Sequence, residues 1–232
     1  MKKLLLSAFV ICLAGTSIAQ ESPLWMRHCA LSPDGTTIAF TYKGDIYTVP
    51  STGGRATQIT TNPAFDTEPV WSPDSKQIAF ASDRMGSLDV FVVSSEGGAP
   101  QRLTTHSGSE KPVAYKDNKH ILFTANIAPS AEDAGFPSGQ FQQVYEVAVT
   151  GGRPAMFSSM PMECISINKE GVMLYQDKKG YEDYWRKHQV SPIARDIWTY
   201  TPGKKPVYQK KLLSEVKTAN RYGVLMVNHS II

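Results

Sequence analysis

Short apolar runs alternate with polar turns along most of the chain, and they recur in one order. In residues 31–60, Ser-Pro-Asp precedes an apolar run ending at Phe40, which leads to Asp-Ile-Tyr, a Gly-Gly pair and a Thr-rich segment. Residues 71–104 repeat this order, and the two Ser-Pro-Asp turns begin at Ser32 and Ser72, 40 residues apart. No stretch has a helical period of apolar residues, so the pattern predicts strands.

Two further units are degraded but legible. The third keeps apolar runs at 113–115 and 121–123, and the fourth keeps one at 172–175. Insertions interrupt these units at about 126–140 and 176–194. Each unit still carries four short strand signals in the same order, so we interpret all four as copies of one structural repeat.

The repeat predicts a four-stranded antiparallel blade. Pro-Asp-Gly suits a tight turn between strands, and Gly-Gly supplies the positive φ that a hairpin needs. A period in the low forties with four strands is typical of β-propellers, in which one blade cannot bury its faces alone. We therefore predict an all-β chain with blades at about 23–60, 61–104, 105–157 and 158–212. More than four blades are usual for such repeats, so we expect an incomplete propeller.

The N-terminus has the features of an export signal. Two lysines precede an apolar run at 4–13, and Ser17 and Ala19 occupy the small-residue positions of a cleavage site. The run is too short to span a bilayer as a stable helix. We expect residues 1–19 to be a signal peptide cleaved after Ala19. The mature chain is then periplasmic or secreted, with no other membrane association.

Charge argues against a polyanionic partner. The chain has 24 basic and 21 acidic residues, and loss of the two leader lysines leaves a formal charge of +1. Such a balance does not favour a nucleic acid or an anionic membrane as the partner. Cys29 and Cys164 remain after cleavage, in different repeats. An oxidising compartment would allow a bridge, but we expect two buried thiols.

The sequence contains no recognisable catalytic, metal or cofactor motif. No serine lies in a G-x-S-x-G elbow, and the Gly-Gly pairs close hairpins instead of opening helices around a phosphate. The histidines lack metal-ligand spacing. They are His28, His106, His120, His188 and His229. We therefore predict no catalytic residue, no metal and no cofactor in this chain.

The insertion of the fourth unit carries the candidate site. Trp185, Arg186 and His188 lie close together in sequence, and Arg195 and Asp196 follow. These residues could line the channel or an interface and contact a peptide. The alternative, which we favour, is a blade-edge loop held by Arg–Asp pairing.

Other polar and aromatic residues are expected to have structural roles. Asp83 and Arg84, together with Asp89, resemble a polar turn that fixes a loop more often than it binds a ligand. Three of the four tryptophans are expected to pack between blades and not to form a carbohydrate platform. They are Trp71, Trp185 and Trp198.

Two segments of the chain resemble one known family more specifically than the blade repeat does. SDRMGSLDVFVVSSEGG at 82–98 and YEDYWRKHQVSPIARDIWTY at 181–200 resemble the N-terminal propeller of tricorn-like proteases, a resemblance that covers about 22–210. In that family further domains follow, including a catalytic domain with a Ser nucleophile. The resemblance implies that the propeller gates peptides or unfolded proteins and scaffolds that domain, and that the protein can be oligomeric. This chain alone is expected to be inactive.

Two alternatives stay open at this point. The blade unit also resembles TolB, which would make the chain a stand-alone periplasmic propeller that binds proteins. It is further similar to the propeller of prolyl-oligopeptidase-type enzymes, which precedes an α/β-hydrolase domain. Downstream DNA separates the three cases, because each predicts a different domain or none.

The last residues break the repeat. No Ser-Pro-Asp turn opens a fifth unit within 213–232. Codons permitted by these residues, shifted by one base, can spell Val-Trp-x-Ser-Asp-Gly-Lys, which is the kind of blade opening seen at 70–74. We therefore predict that 213–232 is a frameshifted tail of a truncated reading frame. Sequencing the locus tests this, since a lack of further blades in every frame would reject it.

Overall fold

The computed structural model describes residues 25–127, 142–160, 162–168, 170–177 and 196–208. Within these ranges the chain forms sixteen β-strands and no helix. The strands are β1 (Arg27–Leu31), β2 (Thr37–Tyr42), β3 (Asp45–Pro50), β4 (Thr57–Gln58), β5 (Asp66–Trp71), β6 (Gln77–Ser82), β7 (Asp89–Ser94), β8 (Gln101–Arg102), β9 (Lys111–Asp117), β10 (His120–Ala125), β11 (Gln143–Ala148), β12 (Ala155–Ser158), β13 (Met162–Ile167), β14 (Met173–Asp177), β15 (Ile197–Tyr200) and β16 (Val207–Tyr208).

Both predicted end segments lie outside the described residues. The signal peptide at 1–19 and the tail at 213–232 therefore stay predictions. Across the described ranges, no helical segment is long and apolar enough to cross a bilayer.

The strands form four separate four-stranded sheets, here called blades 1 to 4 in chain order. In each sheet the strands lie in sequence order, and neighbours are antiparallel. The first strands of consecutive blades pack against one another, whereas each fourth strand packs mainly on the third strand of its own blade. The first strands are therefore the inner strands of a propeller. The prediction of an all-β propeller with four-stranded antiparallel blades is confirmed.

The Ser-Pro-Asp turns close the first hairpin of blades 1 and 2 and also link blades. The Ser32 hydroxyl donates to Asp34 Oδ1 at 2.6 Å and accepts the backbone N–H of Thr37 at 2.9 Å. The backbone N–H of Asp34 donates to Ser75 Oγ in blade 2 at 3.3 Å. The corresponding N–H in blade 2 donates to Asn118 Oδ1 in blade 3 at 3.1 Å. The Ser-Pro-Asp motif thus fixes the turn of its own blade and also binds the corresponding turn of the next blade.

The connections between the second and third strands differ in length between blades more than the other connections do. They comprise residues 43–44, 83–88, 126–142 and 178–196 in blades 1 to 4. In blade 1 both turn residues have positive φ, 51° and 90°, as a two-residue hairpin turn requires. Because the strands alternate in direction, all four connections leave from one end of the blades, opposite the Ser-Pro-Asp turns. We call these ends the loop end and the turn end.

The hydrophobic core lies between consecutive blades. Each blade presents a small face of mainly aliphatic side chains, which in blade 1 comprises Ala30, Ala39, Ile46 and Ile59. The opposite, aromatic face comprises in blade 2 Trp71, Ile78, Phe80, Phe91 and Val93. The aromatic face of each blade packs on the small face of the blade before it. We call the contacts between blades 1 and 2, 2 and 3, and 3 and 4 the first, second and third joints.

Candidate functional site at the loop end

Most of the predicted site residues cannot be placed. Those outside the described residues are Trp185, Arg186, His188 and Arg195. Asp196 directly precedes β15, and its backbone N–H donates to Asp177 Oδ1 at 2.6 Å. The backbone carbonyl of Asp196 accepts the N–H of Asp177 at 3.1 Å. These bonds join the two flanks of the insertion at the loop end of blade 4, and its role in peptide contact stays a prediction.

Every inner strand contains a β-bulge close to its loop end. The bulged strand carries one more residue than the second strand beside it. His28, Glu68 and Cys164 occupy the same place in three bulges, with φ of 50°, 56° and 52°. Pro112 takes this place in blade 3, where its ring excludes a positive φ. Left-handed φ is unfavourable for such residues, and bulges of this kind re-aim side chains next to functional sites.

The bulges carry polar contacts from one inner strand to the next. His28 Nδ1 lies 2.8 Å from Thr67 Oγ1, and Lys111 Nζ donates to Glu68 Oε1 at 2.7 Å. In both cases the residue at the bulge of one blade contacts the residue just before the bulge position of the next blade. We call these four residues the bulge row. The side chains of Lys111 and Glu68 keep 34% and 26% of their exposure, so their ion pair remains open to water and to a ligand.

The bulge row and the long connections belong to the same end of the molecule. The bulges lie near the start of each inner strand, which is also where the connections between the second and third strands leave their blades. The loop end therefore combines an imidazole, a hydroxyl, a carboxylate and an ammonium group beside the flanks of the insertions. Among the described residues, no group of three or more His, Cys, Asp or Glu could hold a metal ion. The available chemistry is hydrogen bonding and ion pairing.

A second polar set at the loop end is structural. Asp83 Oδ1 accepts a backbone N–H at 2.7 Å, and Arg84 Nη2 donates to both carboxylate oxygens of Asp66 at 3.0 Å. Asp89 pairs with Arg102 at 2.9 Å. Both Asp66 and Asp89 are fully buried. The interpretation of residues that fix a loop is confirmed for Asp83 and Arg84, whereas Asp89 joins β7 to β8 of its own blade.

Glu110 is the least compensated acid of the second joint. It is fully buried, and its backbone N–H donates to the carbonyl of Leu88 at 2.7 Å. Among the described residues, no cation forms an ion pair with its carboxyl group. Burial, reinforced by the charge of Asp89 and opposed by the Thr104 hydroxyl, raises the pKa of Glu110 from 4.5 to about 7.

The two cysteines are exposed, so the expectation of buried thiols is wrong. Cys29 lies on the inner strand of blade 1, whose aromatic face has no preceding blade packed on it in the described structure. Cys164 occupies a bulge position at positive φ, where the side chain turns out of the joint. The two thiols are not bridged to each other.

Two of the three tryptophans have the packing role expected of them. Trp71 is 7% exposed, and its indole N–H donates to the carbonyl of Ala30 across the first joint at 3.0 Å. Trp198 packs against the core of the third joint. Trp185 lies outside the described residues.

The repeat and the fold have a counterpart in a known family. Residues 23–229 match the tricorn protease N-terminal beta propeller domain. This chain belongs to that family. The match includes all sixteen described strands, and thus every element of this tricorn-type propeller that positions the loop end.

Curated relatives of the tricorn-type propeller include two peptidases. Tricorn protease homolog 1 of Streptomyces coelicolor is 39% identical over 77 residues, which are 33% of this chain and 7% of the relative. The uncharacterized peptidase YuxL of Bacillus subtilis is 32% identical over 108 residues, which are 41% of this chain and 16% of the relative. The chain matches only a small part of either protein.

Solved structures show the same fold. The tricorn protease superposes with a TM-score of 0.61 at 16% identity, covering 81% of this chain and 18% of that one. The putative TolB from Agrobacterium tumefaciens superposes with a TM-score of 0.57 at 23% identity, covering 78% of this chain and 64% of that one. At these identities the likeness concerns the fold alone.

The bulge row carries no distinctive motif in the sequence. His28 and Glu68 each lie four residues before a Ser-Pro-Asp turn, so the repeat could have aligned them. Their significance depends on an extra residue in the strand pairing, which a single sequence does not reveal. Lys111 belongs to the degraded third unit, where no Ser-Pro-Asp motif fixes the alignment.

Proposed function

We propose that this chain is the substrate-gating and scaffolding propeller of an exported tricorn-like serine peptidase. The observation that carries the proposal is the position of the bulge row, at the same end of the blades as the long connections. Membership of the tricorn propeller family supplies the peptidase context. Cleavage itself is assigned to a catalytic domain outside this chain.

The bulge row offers suitable chemistry for an unfolded peptide. An extended chain presents backbone N–H and C=O groups together with scattered charges. Glu68 and Lys111 can accept and donate hydrogen bonds to it, and their own ion pair is half-exposed, so exchanging partners costs little. The Thr67 hydroxyl and the His28 imidazole can also hydrogen-bond the peptide backbone, which is the same for every sequence. We expect broad selection for unfolded chains and weak preference among sequences.

The scaffolding part of the proposal rests on the joints. Each joint buries a continuous apolar cluster, and the first two also cross-link their blades through the Ser-Pro-Asp turns. Such contacts hold the inner strands in fixed relation to one another. We propose a periplasmic or secreted location, supported by the leader-like pattern that ends at Ala19.

Peptide binding without cleavage tests the proposal. A fluorescent, unfolded peptide of mixed sequence is titrated with the purified chain, and anisotropy and peptide integrity are both followed. We expect binding, no hydrolysis, and an affinity about tenfold weaker in the double variant Glu68→Gln/Lys111→Met. The matched control is Glu146→Gln/Lys116→Met, which removes a half-exposed ion pair of 2.8 Å between β9 and β11, away from the bulge of blade 3.

Three outcomes would count against the proposal. Hydrolysis by the purified chain would show that it carries its own catalytic residues. Equal losses in the two double variants would show that the bulge row has no special part in binding. Absence of any binding would remove the gating role and leave only the scaffold.

A further inference from the structure

A cleft of about 340 Å³ lies between blades 1 and 2 at the turn end. Blade 1 lines it with Asp34 of the Ser-Pro-Asp turn and with Arg55 of the connection after β3. Blade 2 lines it with Glu96 of the connection after β7. The apolar part of the lining comprises Val49, Pro50 and Trp71. Since ligand pockets in proteins range from roughly 300 to 1,000 Å³, this cleft suits a small molecule with both polar and apolar parts.

The corresponding space in the second joint is bridged by a hydrogen bond. Gln101 of β8 donates through Nε2 to the backbone carbonyl of Thr150 in blade 3 at 3.1 Å. Strand pairing and the turn hydrogen bonds place Thr57 and Glu96 at these two positions in the first joint. Within the described part of the chain, the shorter Thr57 side chain lines the cleft and makes no such bond. The first joint is therefore open at the place where the second joint is held closed.

The cleft presents charged groups of both signs. Hydrogen bonds from the Ser32 hydroxyl and from the backbone N–H and hydroxyl of Thr36 converge on Asp34 Oδ1 at 2.6, 2.9 and 2.8 Å. These bonds, with that of Ser32 as the largest cause, lower the pKa of the Asp34 carboxyl, which is therefore an anion at neutral pH. Arg55 and Glu96 are exposed, and neither forms an ion pair with another described residue. One guanidinium and two carboxylates are thus available to a ligand.

We propose that this cleft binds a dipeptide whose amino and carboxyl termini are both free. The Arg55 guanidinium can bind the terminal carboxylate through two parallel hydrogen bonds, and Asp34 and Glu96 can pair with the terminal ammonium group. An apolar side chain of the dipeptide can contact Val49 and Pro50. A long unfolded peptide holds its two terminal charges too far apart to reach these groups together, so the site is independent of the bulge row.

Isothermal titration calorimetry of the purified chain with the dipeptide alanyl-leucine tests the proposal. We expect saturable binding of one dipeptide per chain. N-acetylation and C-amidation of the dipeptide should each weaken binding at least about tenfold, because each removes one charged group. A ligand that binds only the folded chain stabilises it, so alanyl-leucine should also raise the melting temperature measured by circular dichroism.

Two variants and a matched control locate the site. Arg55→Met should weaken binding about tenfold. Thr57→Gln should place an amide where Gln101 stands in the second joint, fill the cleft and abolish binding. Because Thr57 is exposed, the melting temperature of this variant without ligand should stay the same or rise. The control is Arg153→Met, since Arg153 follows the Gly-Gly pair of blade 3 as Arg55 follows that of blade 1, is also exposed and lies outside the cleft. It should leave binding unchanged.

Three results would overturn the proposal. The first is a folded chain that shows no saturable binding of alanyl-leucine. The second is equal binding of a dipeptide blocked at both ends, because recognition would then not involve the terminal charges. The third is binding that survives Thr57→Gln, or that Arg153→Met weakens as much as Arg55→Met does, because the site would then lie elsewhere. None of these results bears on the bulge row, whose test uses a long peptide and other residues.

Discussion

The first and second joints are built from the same positions but place their charges differently. Asp45 and Asp89 each begin the third strand of the preceding blade, and we call them the outer acids. Asp66 and Glu110 lie at the loop end of the following inner strand, and we call them the inner acids. The backbone N–H of each inner acid donates at 2.7 Å to the connection that follows the second strand of the preceding blade. Each joint therefore holds two acids around one backbone frame.

One arginine pairs with an acid in each of these two joints, with the inner acid in the first joint and with the outer acid in the second. In the first joint, Arg84 binds the inner acid Asp66 through two bonds of 3.0 Å, and the outer acid uses uncharged partners. In the second joint, Arg102 binds the outer acid at 2.9 Å, and Glu110 is left without a cation. A fully buried carboxyl can be accommodated by a guanidinium or by a proton. The first joint uses the guanidinium, whereas in the second joint burial raises the pKa of Glu110 to about 7, which favours the proton.

The third joint shows that neither solution is needed for packing. Gln143 stands at the place of the outer acid and Met162 at that of the inner acid. Both are buried, and the apolar cluster of this joint is continuous. The charges of the first two joints are thus features of those joints and not of the blade fold.

Removal of Arg84 should have the largest effect on the free energy of unfolding, because it disrupts the ion pair of the first joint. Arg84→Met leaves the fully buried Asp66 carboxylate without its partner, and we expect a loss of about 3–5 kcal/mol in the free energy of unfolding. Urea denaturation measures the loss. The double variant Arg84→Met/Asp66→Asn should recover much of it, because no buried charge is then left. A loss below about 1 kcal/mol would show that Asp66 is solvated or otherwise paired.

Stability should depend on pH through the second joint. Because the pKa of Glu110 is raised from 4.5 to about 7, the folded chain retains this proton while the unfolded chain loses it. The contribution is complete below about pH 4.5, falls as pH rises toward 7, and is absent above it, with a total of about 3 kcal/mol. Denaturation from pH 5 to 8 should show this fall, and Glu110→Gln should remove it. Equal slopes in both proteins would contradict a protonated Glu110.

The smallest expected effect concerns a threonine that both joints share. The Thr60 hydroxyl accepts the N–H of Ile46 at 3.0 Å, and the Thr104 hydroxyl accepts that of Val90 at 2.9 Å. Thr60→Val and Thr104→Val should each cost about 1–2 kcal/mol by leaving a buried N–H unpaired. Thr104→Val should also move the pH dependence upward, because that hydroxyl lowers the pKa of Glu110. An identical shift in Thr60→Val would contradict this assignment.

The blades could be predicted because local chemistry determines them. Ser-Pro-Asp and Gly-Gly specify turns through hydrogen bonds and positive φ, and Gly53 and Gly97 do have φ of 87° and 91°. Branched and aromatic residues favour the strands between them. These determinants act within a few residues, so a single sequence is enough to display them.

The joints could not be predicted because their partners are far apart in sequence. The correspondence of Asp66 with Glu110 emerges from the pairing of β5 with β6 and of β9 with β10, and the third unit has no Ser-Pro-Asp motif to align it. Nor does the sequence show that Ile127 takes the place of Arg84 in blade 3. The exposure of the Cys29 thiol likewise depends on packing that a single sequence does not show.

Hydrogen–deuterium exchange with and without a saturating unfolded peptide tests directly whether unfolded peptides contact the loop end. We predict slower exchange at 27–28, 67–68 and 111 and at the flanks of the blade 4 insertion. Exchange in the Ser-Pro-Asp turns at 32–36 and 72–76 should be unchanged. Protection confined to those turns, with none along the bulge row, would show that peptides bind at the turn end and not at the loop end.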